Sequence, residues 1–250
     1  MSGLDAVLVL LSGVAAGAIN AVVGAGTLFT FSTLVLLGFP PLTANVSNTV
    51  GLVPGSVASS VGYREELTGQ WSRLRRLIPA SALGGLTGAV LLLVLPSAAF
   101  DAIVPVLIAI ALVLVVLQTR LSRRMVTDGT VVRQPTASLL AGVFGAGTYG
   151  GYFGAAQGIL LIGMLGTWLD HDLQRVNACK NVLATAVNGI AALVFIVAAP
   201  VNWRIVVLLL IGSTVGGWTG AKVGRRFPAP LLRATVIVVG VVAIAVLLVR

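Results

Sequence analysis

Residues 182–199 read VLATAVNGIAALVFIVAA, and runs of this kind recur from one end of the chain to the other. A helix needs ~20 mostly apolar residues to cross a hydrocarbon core of ~30 Å. In lipid such a run must satisfy its own N–H and C=O groups, which leaves only a helix or a closed barrel. Barrel strands alternate polar and apolar residues, and these runs do not alternate. The chain is therefore expected to be an all-α polytopic membrane protein with the lipid bilayer as its first partner. Composition agrees, with 58% hydrophobic and 9% charged residues against ~25% charged in soluble domains. The N-terminal MSGLDAVLVL has no basic stretch and no clear cleavage pattern, so it reads as part of the first membrane segment.

The runs are organised by a repeat. Gly84–Ala89 reads GGLTGA and Gly216–Ala221 reads GGWTGA, an offset of 132. Without a gap, the same offset pairs Asn45 with Asn177, Trp71 with Trp203, Ser81 with Ser213 and Pro96 with Pro228. It also pairs Gly26 with Gly158 and Gly13 with Gly145. Matches of so many residue types at one offset imply duplication. The expected organisation is a first membrane repeat over 1–119, a linker over 120–136 and a second repeat over 137–250.

Predicted segments are 4–38, 42–62, 77–95 and 99–119, then 137–169, 173–199, 205–223 and 231–249. The first of each half is too long for one crossing and too short for two, since ~34 residues of helix measure ~50 Å. Each contains a glycine-rich break, GAG at Gly24–Gly26 and GTYGGYFGAAQG at Gly147–Gly158. The economical solution is a broken helical hairpin whose tip stops at membrane depth. Such backbone is tolerated only where it is buried in protein or lines a cavity. Each half is then a hairpin plus three transmembrane helices, about 8 to 10 membrane segments in all.

Charge sets the orientation. Sixteen basic and seven acidic residues give +9, and most of the basic ones fall in loops or at segment ends. Loop 63–76 holds Arg64, Arg73, Arg75 and Arg76, and the linker holds Arg120, Arg123, Arg124 and Arg133, while PSAAFD at 96–101 has no basic residue. Basic loops face the cytoplasm. In the second half the basic turn is 222–233, with Lys222, Arg225, Arg226 and Arg233, whereas 200–204 has only Arg204. The repeats are therefore expected to be inverted. Topology accounts for the charge, and no nucleic acid partner is needed. Inverted repeats with broken helices at matching positions point to a secondary transporter with its site near the midplane. The tips at Gly24–Gly26 and Gly154–Gly158 can then approach each other. Helix N-termini beginning there offer free N–H groups and partial positive charge to an anion.

Two polar clusters occupy matching places. One has Asn45, Ser47, Asn48 and Thr49; the other has Asn177, Lys180 and Asn181, with Asn188 two turns on. Lys180 stands opposite Asn48, so it is where the second half departs from the first. A lysine at a membrane helix centre costs roughly 2.5–3.5 kcal/mol. Two readings stay open: a lysine that snorkels to the interface, and a buried cation facing an anionic substrate. The candidate substrate site is Lys180, Asn177, Asn181, Asn45 and Asn48, with backbone N–H groups at Gly26 and Gly158. Asn177 shares a helical face with Lys180, whereas Asn181 is rotated away from it. Tyr149, Tyr152 and Gln157 are further hydrogen-bond candidates at the second tip.

Other features read as structural. GGLTGA and GGWTGA suit close helix packing. His171, between Asp170 and Asp172, fits a helix-capping loop or a proton relay. The single Cys179 reads as a small packing residue. GTYGGYFGAAQG lacks GK[ST], which argues against nucleotide binding. There is no GxS motif beside the one His, no buried carboxylate pair and no metal-ligand cluster, so neither an enzyme nor a cofactor is expected.

At these residues a family resemblance appears. GAGTLFTFSTLVLLGFPPLTANVSN in the first half, with GYFGAAQG and then RVNACKN in the second, resembles the TauE/SafE sulfite exporter family over nearly the whole chain. The resemblance implies export of a small inorganic or organic sulfur oxyanion, such as sulfite or a sulfonate, across the cell inner membrane. Proton coupling is compatible with it. All seven acidic residues lie near segment ends or in loops, so a proton would travel on bisulfite itself or through Lys180. The residues alone say only an inverted-repeat transporter for an anion. A small-anion channel and a non-transporting scaffold subunit stay open, as does the oligomeric state.

Overall fold

The computed structural model describes residues 1–124, 134–169, 172–223 and 229–249. Among them the chain forms ten helices and no strand. The first five are α1 (Gly3–Val22), α2 (Gly26–Leu36), α3 (Pro41–Gly62), α4 (Trp71–Val94) and α5 (Ser97–Arg124). The second five are α6 (Ala137–Tyr152), α7 (Gln157–Trp168), α8 (Leu173–Ala198), α9 (Trp203–Val223) and α10 (Ala229–Val249). The linker residues 125–133, the Asp170–His171 pair, and Arg225 and Arg226 lie outside the described residues.

Local chemistry sets the helix starts. Ser2 and Asp5 form a reciprocal capping box on α1, Thr136 caps α6, and Asp172 accepts from Gln174 and Arg175 at α8. Each supplies an acceptor to N–H groups that have no partner inside the helix. Five helices (α1, α4, α5, α8 and α9) are long and apolar enough to cross a membrane. Both predicted hairpins form. A Cβ on Gly26 would strike the Ala16 carbonyl, and one on Gly142 would sit 2.7 Å from the Met164 sulfur, so each chain doubles back on itself. The return arms α2 and α7 have 11 and 12 residues. At 1.5 Å per residue they fall well short of a ~30 Å core.

The first arm of each hairpin leaves its own half. α1 lies along α9 and α6 lies along α4, while α9 packs on α3 and α4 on α8. α2 meets α10 and α7 meets α5. Every one of these pairs has its counterpart when the halves are exchanged. Glycines permit the approach. A Cβ on Gly84 or Gly88 would strike carbonyls of α6, and one on Gly216 would strike the Val14 carbonyl of α1. Contact between small residues is how apolar helices gain packing when lipid removes the hydrophobic drive. Paired hydrogen bonds tie the layers, Ser81 Oγ to the Leu183 carbonyl at 3.2 Å and Ser213 Oγ to the Gly51 carbonyl at 3.0 Å.

Directions are fixed by the same contacts. Gly51, Gly55 and Gly62 of α3 meet Leu209, Ser213 and Ala221 in turn, so α3 and α9 run the same way. Ser56 meets Asn188 while Ser60 meets Thr185, so α3 and α8 run oppositely.

One register needs correction. Gly17 packs on Ser213 and Gly217, and Gly147 packs on Ser81 and Gly85, so these two glycines are counterparts at an offset of 130. The gapless offset of 132 therefore applies after the hairpin tips, not before them. Gly13 and Gly145 are not equivalent: a Cβ on Gly13 meets Leu209 and Gly212 at 3.3 Å, and one on Gly145 meets nothing within 4 Å. The two residues of difference lie at the tips, where Gly24 corresponds to Gly154 at an offset of 130 and Gly26 to Gly158 at 132.

Candidate functional site

The two breaks meet back to back. Gly24 and Gly154 adopt φ of 82° and 76°, which a residue without Cβ tolerates. The Gly158 N–H donates to the Gly24 carbonyl at 3.2 Å. A Cβ on Gly24 would come within 2.6 Å of the Gly158 Cα. Here it is the close approach of two backbones that requires glycine on both sides. Tyr149 donates its hydroxyl to the Ala155 carbonyl at 2.6 Å and so pins the second break.

Lys180 is 1% exposed, so it does not snorkel. Its Nζ donates to the Asn20 carbonyl at 2.8 Å and the Ala21 carbonyl at 3.2 Å. Asn181 Nδ2 also approaches the Ala21 carbonyl, at 3.5 Å. These carbonyls belong to the last turn of α1, where C=O groups lack helical partners and carry partial negative charge. The lysine thus caps a helix of the other half. An ammonium has three donors, and these two contacts leave one.

The remaining predicted residues mostly hold the tips. Asn45 Nδ2 donates to the carbonyl of Tyr152, the last residue of α6, at 3.0 Å. Asn48 accepts from Thr30 Oγ1 and donates to the Thr27 carbonyl at 3.4 Å. The Gly26 N–H, expected to face an anion, donates instead to Asn20 Oδ1 at 2.7 Å. With Gly158 bonded to Gly24, both backbone donors of the sequence reading are occupied in this conformation.

A small cavity lies beside the tips. Lys180, Asn181 and Asn188 of α8 line it with Ser56 and Ser59 of α3. Asn20, Gly24 and Thr27 close it from the first hairpin, and Gly154, Gln157 and Gly158 from the second. The space open to the centre of a water-sized body is about 20 Å³, enough for about one water. Its lining carries one cation and no carboxylate. Asn45, Asn48, Asn177 and Gly26 do not line it, although Asn177 Oδ1 is buried without a partner.

Asn181, not Asn177, joins Lys180 at the cavity. The wall contributed by α8 follows 181, 184 and 188, one face at helical spacing. Lys180 reaches that face because its stem bends along Gly158, where a Cβ would lie 3.1 Å from the Lys180 Cδ. Asn20, Thr27, Ser56 and Ser59 were not singled out by the sequence. One available signal was the repeat: Ser56 is the counterpart of Asn188, and the two hydrogen-bond at 3.4 Å. Cys179 is buried and donates to Gln70 Oε1 at 3.2 Å, a packing role. No group of three or more His, Cys, Asp or Glu among the described residues could hold a metal.

The family model "Sulfite exporter TauE/SafE" matches residues 9–247. The chain is 25% identical over 233 residues to "Probable membrane transporter protein YfcA" of Escherichia coli (strain K12), covering 93% of this chain and 86% of that protein. It is 25% identical over 240 residues to a "Probable membrane transporter protein" of Haemophilus influenzae, covering 94% of this chain and 92% of that protein.

Proposed function

The chain belongs to the TauE/SafE sulfite exporter family of multi-pass membrane transporters, and we propose that it exports a small sulfur-containing anion, sulfite or an organosulfonate, by alternating access. The observation that carries this reading is the cavity at the meeting of the two hairpin tips, walled by hydrogen-bond donors and one buried ammonium with no carboxylate. A cation in a low-dielectric interior attracts an anion far more strongly than one in water. A carboxylate-free wall also rejects cations.

In this reading the remaining N–H of Lys180 and the amide of Asn181 hold the anion, with Asn188 and the hydroxyls of Ser56 and Ser59 completing the wall. Asn45 and Asn48 act through the tips they hold, and Asn177 stands behind the site. Gly26 and Gly158 contribute by close packing in this conformation and become donors only if the tips part. The inverted-repeat reading draws support from the opposed directions of the counterparts α3 and α8. Inverted repeats supply two alternative packings around one site, which is the basis of alternating access. The contracted cavity fits a state between the open ones. A proton would move as bisulfite or on Lys180.

The test is sulfite flux into proteoliposomes. Saturable uptake with counterflow is the expected result. Flux that rises linearly with concentration would mean a channel, and no flux of any small oxyanion would favour a scaffold subunit.

A further inference from the structure

The second hairpin tip differs from the first by what lies between its glycines. Gly24 and Gly26 enclose one alanine, whereas Gly154 and Gly158 enclose Ala155, Ala156 and Gln157. To fit the longer turn, Ala156 takes φ 60° and ψ 15°, the one positive φ outside glycine among the described residues. A left-handed alanine is strained, and such strain gathers where a side chain has to be aimed. The residue it aims is Gln157. Its side chain folds back over Gly150, where a Cβ would strike the glutamine Cδ and Oε1. Gln157 is 3% exposed and lines the cavity, yet its Nε2 has no hydrogen-bond partner.

A buried amide nitrogen without an acceptor is rare and calls for an explanation. Asn45, Asn48, Asn181 and Asn188 all have partners for their Nδ2 atoms. Gln157 differs in lining the cavity with an amide whose nitrogen is still unpartnered, on the same cavity as Lys180, whose ammonium has one donor left. Resting on the transporter reading above, we infer that Gln157 is the specificity-determining donor, which binds one oxygen of the substrate anion while Lys180 binds another. The terminal torsion of a glutamine is soft, so the amide can rotate to bring Nε2 onto the oxygen. The preferred ligand then has two or more oxygens on one centre, as sulfite and sulfonates do. A monatomic halide offers one atom to both donors where an oxyanion offers one oxygen to each, so it is the weaker ligand.

The test uses full-length protein in proteoliposomes with sulfite and chloride as competing anions. Gln157→Met keeps the side-chain length and removes the donor. It is expected to raise the sulfite KM by about tenfold with little change in kcat, and to narrow the preference for sulfite over chloride. Gln157→Glu, which puts a carboxylate against the anion, is expected to abolish uptake while size-exclusion behaviour stays that of the wild type. If Gln157 were only packing, Gln157→Met would lower thermal stability and leave KM and anion preference alone, which overturns the inference while the wild type still transports. A wild type that takes up no small oxyanion overturns the transporter reading and this inference together.

Discussion

Both hairpins end their first arm inside the protein, and both must satisfy carbonyls there, yet they use different groups. At the first tip, the Lys180 ammonium bonds the Asn20 and Ala21 carbonyls. At the second, the Asn45 amide bonds the Tyr152 carbonyl. In each case the cap comes from the third helix of the opposite half. A neutral amide is evidently enough to end a helix at this depth. Capping therefore explains why a donor stands at the first tip but not why it is charged. On the proposed reading the charge serves the anion, and Lys180 lines the same cavity as Gln157, whose Nε2 has no acceptor.

Replacing the lysine tests this contrast most severely. Lys180→Met should cost about 2–4 kcal/mol, because it leaves the buried Asn20 carbonyl without a donor and the Ala21 carbonyl with only the long contact from Asn181, and should abolish saturable sulfite uptake. Thermal unfolding in detergent and proteoliposome flux measure the two effects. Lys180→Asn sharpens the comparison, since it installs the neutral amide used at the other tip. It should recover part of the stability and none of the transport. Recovered transport would show that the charge is dispensable and the two tips equivalent.

Next in size are substitutions where the tips' supports agree. Gly84→Ala and Gly216→Ala each drive a methyl group into a backbone carbonyl of the exchanged arm. Each should destabilise by about 1–3 kcal/mol, and by similar amounts, as read by melting temperature. A large inequality would mean that the two interfaces are not counterparts. Asn45→Ala should cost about 1 kcal/mol through the lost cap and leave the sulfite KM within about twofold, because the residue does not line the cavity. The smallest effect is expected at Gly145, where a methyl group meets nothing. Gly145→Ala should be neutral or stabilising by up to about 1 kcal/mol, while Gly147→Ala, two positions on, should destabilise.

Much of the fold was legible because it follows from local chemistry. Apolar runs gave the helices, and the glycine breaks gave the hairpins to within a few residues of Val22 and Tyr152. The polar cluster around Lys180 was visible because charge is rare in such a helix. What escaped depends on which arms meet. Gly13 and Gly145 matched by chance in a helix rich in small residues, so the slip of two residues at the tip went unseen. Asn20 is a lone amide in an apolar run, and nothing local shows that its side chain turns to Gly26 six residues later. Sequence spacing put Asn177 beside Lys180 and turned Asn181 away. The cavity reverses this because both hairpins bound it together with α3 and α8, and a long flexible lysine reaches a wall that its own backbone position does not face.

The exchange of first arms also bears on how the protein is made. α1 leaves the ribosome before its main neighbour α9, with seven helices between them. At translation speeds of about 5–20 residues per second, its glycine face waits many seconds among lipids before the partner arrives. Only then do Lys180 and the α9 glycines close around it. The first half made alone lacks the α9 surface on which α1 packs, so a nascent chain stopped before α9 leaves that glycine face open to lipid.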